Sequence, residues 1–274
     1  MARGARPFRR RGESSWRPVL DWRNIMPARG KFIALEGIDG AGKRTQLRLL
    51  SRALARRGVA CQKMSFPRYD GFFGSMAGRY LHGEFGPLAA VDPHFSALLY
   101  AGDRLEAKPS IESALHDEKI VLADRYVASN LAHQGARVAP EKRDEFLTWL
   151  RKLEYEIYAL PVEDLVIYLR IPAGEGQTRA SGRAANDPSR SKDLHEANLA
   201  HMADAARMYD ALATQPHWVI VECANSDGTA RSPEDIHRKV LAAVDAQMFS
   251  SQAPPSQDTA SQPWPHVTAP HTKS

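Results

Sequence analysis

Cysteine is scarce in this chain of 274 residues, which holds only Cys61 and Cys223. Two thiols cannot build a disulfide framework, and their spacing matches no zinc motif. They read as reduced, partly buried thiols in a reducing compartment. No apolar run approaches the roughly 20 residues a bilayer-crossing helix needs, so no transmembrane helix is expected. The N-terminal stretch lacks the roughly 7–15-residue apolar segment of a secretory signal. No internal repeat is visible. Composition is not extreme either: 43% hydrophobic and 25% charged residues exclude a wholly disordered, collagen-like or coiled-coil chain. The length is enough to bury a sizeable core without staples.

The net charge of +5 is unevenly placed. Residues 1–29 hold eight arginines against Glu13 and Asp21, a net +6, so the other 245 residues sum to −1. The basic balance belongs to a leader, and it says little about the folded body. That leader, 1–29, reads as disordered and dispensable, or as lying upstream of a true start at Met26. Its arginine-rich, acid-poor composition also fits an organellar transit peptide, or a basic arm touching nucleic acid or acidic lipid. The location expected is cytoplasmic, with organellar targeting as the alternative. Residues 251–274 contain five prolines among Ser, Gln, Thr and Ala and read as a disordered tail.

Residues 30–250 between them read as one domain of short apolar runs alternating with helical patterns. Strands are expected at Phe32–Leu35, Val59–Met64, Ile120–Ala123, Leu165–Leu169 and Trp218–Val221. Helices are expected at Arg44–Arg57, Phe73–His82, Asp92–His116 with a kink at Pro109, Glu141–Tyr158, Lys192–Ala213 and Pro233–Met248. Ser232 and Pro233 suit the N-cap and first position of the last helix. Strands separated by helices imply right-handed crossovers and an α/β fold with a parallel sheet covered on both faces. Ligands in such a sheet sit beyond the carboxyl ends of the strands.

The chemistry-bearing residues gather at those ends. After Phe32–Leu35 comes Glu36-Gly37-Ile38-Asp39-Gly40-Ala41-Gly42-Lys43-Arg44-Thr45-Gln46, then a helical run. Gly37, Gly42 and Lys43 satisfy the G-x-x-x-x-G-K phosphate loop. Its glycines let consecutive N–H groups face one anion, and the helix N-terminus adds its dipole. Lys43 supplies a point charge for the β- and γ-phosphates. A plain glycine-rich turn would not require both the strand before and the helix after. One position departs from the pattern: Arg44 stands where Ser or Thr usually offers a hydroxyl to Mg²⁺, and Thr45 comes one place late. The ion must then be held chiefly by carboxylates and phosphates. Asp124 ends the run Ile120–Ala123, facing the loop, and Arg125 beside it can grip a phosphate with paired hydrogen bonds. A surface ion pair is the plainer reading of those two.

The series Gly37–Lys43 with Thr45-Gln46, then Phe66-Pro67-Arg68-Tyr69, then Asp124-Arg125-Tyr126 resembles the thymidylate kinase family, over roughly Lys31–Met248. Leu81-His82-Gly83-Glu84 and Asp124–Asn130 are similar to a bacterial subgroup that also carries Arg after the loop lysine. The resemblance implies a three-layer P-loop nucleoside monophosphate kinase fold with five parallel strands and a mobile lid. The implied reaction moves the γ-phosphoryl of ATP to dTMP with Mg²⁺. A kinase for another nucleoside monophosphate or a deoxynucleoside, a nucleotide-dependent switch, and a nucleic-acid binder remain as alternatives.

The residues follow from the same resemblance. Lys43, Arg125, Arg183 and Asp39 would be catalytic. ATP would be held by Gly37, Ile38, Asp39, Gly40, Ala41, Gly42, Lys43, Arg44 and Thr45, with Arg179, Arg183 and Arg190 from a lid at about 173–194. Glycine, proline and arginine in that lid suggest a flexible segment, although a solvated charged stretch reads similarly. The dTMP pocket would comprise Asp39, Phe66, Tyr69, Tyr100, Arg104, Arg125, Asn130, His133 and Gln134. Tyr100 and Arg104 are also compatible with an ordinary core aromatic and a surface arginine. Asp39, Asp124 and Glu196 are the metal candidates, with Asp193 near Glu196. His133 stands where relatives carry Tyr or Phe beside the deoxyribose, and His195 replaces a usual tyrosine. The smaller imidazole makes the sugar preference less secure than the reaction. A homodimer is implied; membrane and nucleic-acid partners are not expected.

Overall fold

The computed structural model describes residues 29–87, 90–185, 199–225 and 228–249. Five strands form one parallel sheet: β1 (Phe32–Glu36), β2 (Cys61–Ser65), β3 (Ile120–Asp124), β4 (Leu165–Arg170) and β5 (Trp218–Glu222), in the order β2-β3-β1-β4-β5. The residues explain the order. β1, β3 and β4 are near-continuous apolar runs buried along almost their whole length, as inner strands must be. β2, CQKMS, and β5 are half-exposed edge strands, which accounts for the polar admixture at Val59–Met64. Each strand lies within two residues of its expected bounds.

The helices are α1 (Lys43–Arg56), α2 (Phe72–Leu81), α3 (Pro93–His116), α4 (Val127–Gly135), α5 (Arg143–Arg151), α6 (Ala173–Ala185), α7 (Leu199–Leu212) and α8 (Pro233–Phe249). Leu47, Leu50 and Leu54 form the buried stripe of α1. Asp92 caps α3 by accepting from the His94 amide at 2.7 Å, with Pro93 in the first turn, and the helix continues through Pro109. At α8 the Asp235 amide donates to the Ser232 hydroxyl at 3.0 Å, as the cap reading requires.

Three expectations change. α4 falls in a stretch read only as a motif, because its polar residues Ser129, Asn130 and Gln134 are buried along with the apolar ones. The helix expected over Glu141–Tyr158 is divided into α5 and a π-helical stretch, Lys152–Ile157. Residues 173–185, read as flexible, are helical in α6. The helix expected over Lys192–Ala213 is present over Leu199–Leu212, and residues 192–198 lie outside the described part. Most of the leader, and the tail, also lie outside it.

One core cluster runs along the sheet and includes Phe32, Leu35, Leu122, Ile167, Tyr168 and Tyr209. Both cysteines are free. Burial pushes the Cys61 thiol up and that of Cys223 to about 12. Among the described residues no helix is long and apolar enough to cross a membrane.

Candidate active site

The register places Leu35 of β1 beside Asp124 of β3, so the turns leaving these strands emerge together. Gly37, Gly40 and Gly42 in the turn after β1 take φ values of 136°, 82° and 93°, which an L side chain rarely tolerates. Contact forbids one as well: a Cβ on Gly40 would lie 2.0 Å from the Gly176 carbonyl oxygen of α6. α1 starts at Lys43, so the loop runs into a helix N-terminus whose first N–H groups have no partners within the helix. Lys43 Nζ donates to the carbonyls of Gly37 and Ile38, each at 2.9 Å. Burial first, and then the Arg125 charge, lowers its pKa to about 8.

Arg125 enters from the other turn. Its backbone is left-handed, φ 69°, a strained setting for a long side chain. Its amide donates to the Leu35 carbonyl at 3.0 Å, fixing it to β1. Its Nη2 pairs with Asp39, while Nη1 donates to the Gly37 carbonyl at 3.1 Å and the Ser129 hydroxyl at 3.0 Å. Burial opposes ionisation of Asp39, but the charges of Arg125 and Lys43, together with the Arg125 hydrogen bond, hold its carboxyl well below the usual range. Burial likewise opposes the Arg125 charge, and Asp39 more than compensates, raising the guanidinium pKa.

Beside these groups opens a cleft of about 1240 Å³. Asp39, Gly40, Gly42, Lys43, Arg44, Thr45, Phe66, Tyr69, Tyr100, Arg104, Asp124, Arg125, Asn130, His133 and Gln134 all line it. Gly37, Ile38 and Ala41 are buried in the loop beneath. Phe66 is buried against Tyr126, ring centroids 5.8 Å apart, whereas Tyr69 is largely exposed. Arg104 is 2% exposed and forms a two-pronged pair with Glu154, at 2.5 and 2.6 Å. It is therefore a buried, oriented cation rather than a surface arginine. Asn130 Nδ2 donates to Glu154 at 2.8 Å and to the Ala97 carbonyl at 3.0 Å, leaving its Oδ1 buried without a hydrogen-bond partner. Gln134 accepts from Ser96 and Arg137, each at 2.8 Å.

Only one of the remaining predicted residues has a described side chain. Arg179 is held by Glu175 one turn back, at 2.9 Å. Arg183 falls within α6, its side chain outside the described structure, and Arg190, Asp193, His195 and Glu196 lie outside it entirely. Among the described residues no three His, Cys, Asp or Glu gather as a metal cluster. Asp124 and Asp39 at the loop can supply carboxylate oxygens to an ion that arrives on a triphosphate and keeps phosphate and water as its other ligands.

Sequence reading missed several groups. Glu36 is fully buried and accepts from the Tyr126 amide and the Ser129 hydroxyl, each at 2.6 Å, and from the Tyr209 hydroxyl at 2.9 Å. Its local signal is a lone acid ending an otherwise apolar strand. Glu154, Tyr209 and His201 carry no such signal.

Strand order, the loop leaving the first strand and the Asp-Arg turn beside it make this chain a P-loop protein of the nucleoside monophosphate kinase fold. Comparison with known proteins narrows the class. The thymidylate kinase family model matches residues 35–239. Thymidylate kinase of Mycobacterium tuberculosis is 35% identical over 194 residues, covering 69% of this chain and 90% of its own. A probable thymidylate kinase of Thermococcus gammatolerans is 31% identical over 227 residues, covering 81% of this chain and 99% of its own. The solved structure of thymidylate kinase from Candida albicans matches with a TM-score of 0.64 at 19% identity, over 81% of this chain and 94% of that one. The chain belongs to the thymidylate kinase family.

Proposed function

We infer that the protein is a dTMP kinase, moving the γ-phosphoryl of Mg²⁺-bound ATP onto the 5′-phosphate of dTMP to give dTDP. The observation that carries this reading is the meeting, in one cleft, of the Lys43 phosphate loop and Arg125 with a pocket walled by Phe66, Tyr100, Arg104 and Asn130. A nucleotide switch without a phosphate acceptor has no use for that second pocket.

The loop residues Gly37–Thr45 hold the ATP phosphates, with Lys43 on the β- and γ-phosphates. Arg125 and Tyr69 take the acceptor phosphate, and Asp39, anchored by Arg125, sits between the two substrates. Tyr100 stacks on the thymine, Phe66 walls the pocket, and Arg104 and Asn130 read the base edge; Gln134 lines the pocket and His133 faces the sugar. Arg183, with Arg179 and Arg190, brings lid charge over the transferring group. Asp39, Asp124 and Glu196 would hold the ion that accompanies ATP, which would neutralise phosphate charge. The acceptor is already an ionised phosphate, so no general base is needed. Rate comes from in-line positioning and from neutralising charge on the equatorial oxygens.

A coupled assay with Mg²⁺–ATP against dTMP, dUMP, UMP, dCMP and dGMP tests the reading. dTMP should be used best; a preference for another acceptor shifts the assignment to a neighbouring kinase. His133 makes ribose tolerance the specific point to watch. The chain also pairs as a homodimer in this proposal, supported by Phe95, Leu98 and Leu105, which share one face of α3 and remain exposed. Two free cysteines suit a reducing compartment such as the cytoplasm. The domain then spans 30–250, and leader and tail are dispensable for transfer.

A further inference from the structure

Arg125 is held by more than its carboxylate partner. A guanidinium offers donors only. Its Nη1 lies 3.2 Å from Nε2 of His133, so that nitrogen accepts and the imidazole proton sits on Nδ1. His133 Nδ1 in turn faces Nε2 of His201 on α7 at 3.5 Å, the ring centroids 5.6 Å apart. For Nδ1–H to donate, His201 must accept, leaving its own proton on Nδ1. Burial, and then the Arg137 charge, pushes the His201 pKa down and favours this neutral state.

We propose that His133 and His201 are positioning residues for Arg125: His133 orients the guanidinium as an uncharged acceptor, and His201 fixes the tautomer that allows it. This rests on the kinase reading above and assigns His133 a task beyond facing the sugar. The chemistry favours an imidazole at this point. Asp39 already takes Nη2, and a second carboxylate would bind the cation to the protein at the expense of the phosphate. The remaining Nη1 acceptors are uncharged too: the Gly37 carbonyl at 3.1 Å, Ser129 at 3.0 Å and the Tyr209 hydroxyl at 3.5 Å. Nη1 has only two hydrogens for these acceptors, so one can pass to a phosphate oxygen while the others keep the group aimed.

Single-turnover transfer from ATP to dTMP by the full chain tests this. Absence of dTDP with the wild-type protein would sink the kinase reading itself, before any variant is compared. Given transfer, His133→Leu should slow the chemical step about tenfold while dTMP affinity changes about threefold or less. His133→Gln, which restores a carbonyl acceptor, should recover most of the rate. Nitrogen-15 spectra of the wild-type protein should show the His133 proton on Nδ1, and His201→Leu should convert it to a tautomer mixture. The spectra stand even where the leucine variants fold poorly. Nδ1 unprotonated in the wild type, or a His133→Leu enzyme with unchanged rate and weakened dTMP binding, overturns the proposal.

Discussion

Glu154 has no exposed surface and serves two cleft residues at once, pairing with Arg104 and accepting from Asn130. Glu154→Gln keeps the shape and removes the charge, leaving a buried guanidinium uncompensated. Breaking such a pair costs about 3–5 kcal/mol, which a urea titration should show as a lower midpoint with an unchanged slope. Lys43 offers a test in pH. Its lowered pKa means the free enzyme loses that charge as pH rises through about 8, so kcat/KM for ATP should fall there. A flat profile between about pH 7 and pH 10 would contradict it. Its effect on stability has the other sign: between about 8 and 10.5 the unfolded chain binds a proton that the folded one lacks, so the Lys43 contribution rises with pH. Lys43, Asp39 and Arg125 were legible because glycine spacing and strand ends give them local context. Glu154 was not, since its partners lie 50 and 24 residues away and only folding makes it a site residue.

At the level of elements, apolar strands were readable to within two residues because burial on both faces leaves an unbroken run. α4 and α6 were not. α4 turns its polar side, Ser129, Asn130 and Gln134, inward to the cleft, so that side is buried and marks no solvent face. α6 contains Gly174, Gly176 and Gly182, which in isolation disfavour a helix by about 1 kcal/mol each. Packing explains one of them: a Cβ on Gly176 would sit 2.7 Å from the Asp39 carbonyl oxygen and 3.0 Å from Ile38. Gly176→Ala should therefore push the phosphate loop away from α6 despite its better helix propensity. The expected result is a KM for ATP raised about tenfold with a smaller change for dTMP, measured by steady-state kinetics; equal ATP affinity in the variant would deny the contact that role.

Across the whole molecule, the parallel sheet follows from alternating strand and helix patterns, but its order does not, because which strands neighbour β1 depends on crossovers that no local pattern encodes. Surface pairing is similarly hidden. Phe95, Leu98 and Leu105 are 45%, 38% and 37% exposed, and a charge placed among them should split a dimer. Leu98→Glu is expected to halve the sedimenting mass without altering the fold, and an unchanged mass would move the interface elsewhere. The two quiet thiols have a practical use at this scale. With Cys61 and Cys223 both held as poorly ionised sulfhydryls, a maleimide dye added at neutral pH should react first with any cysteine introduced on the surface. Labels on α6 and on the phosphate-loop side could then report the distance between them during turnover, against an almost silent native background.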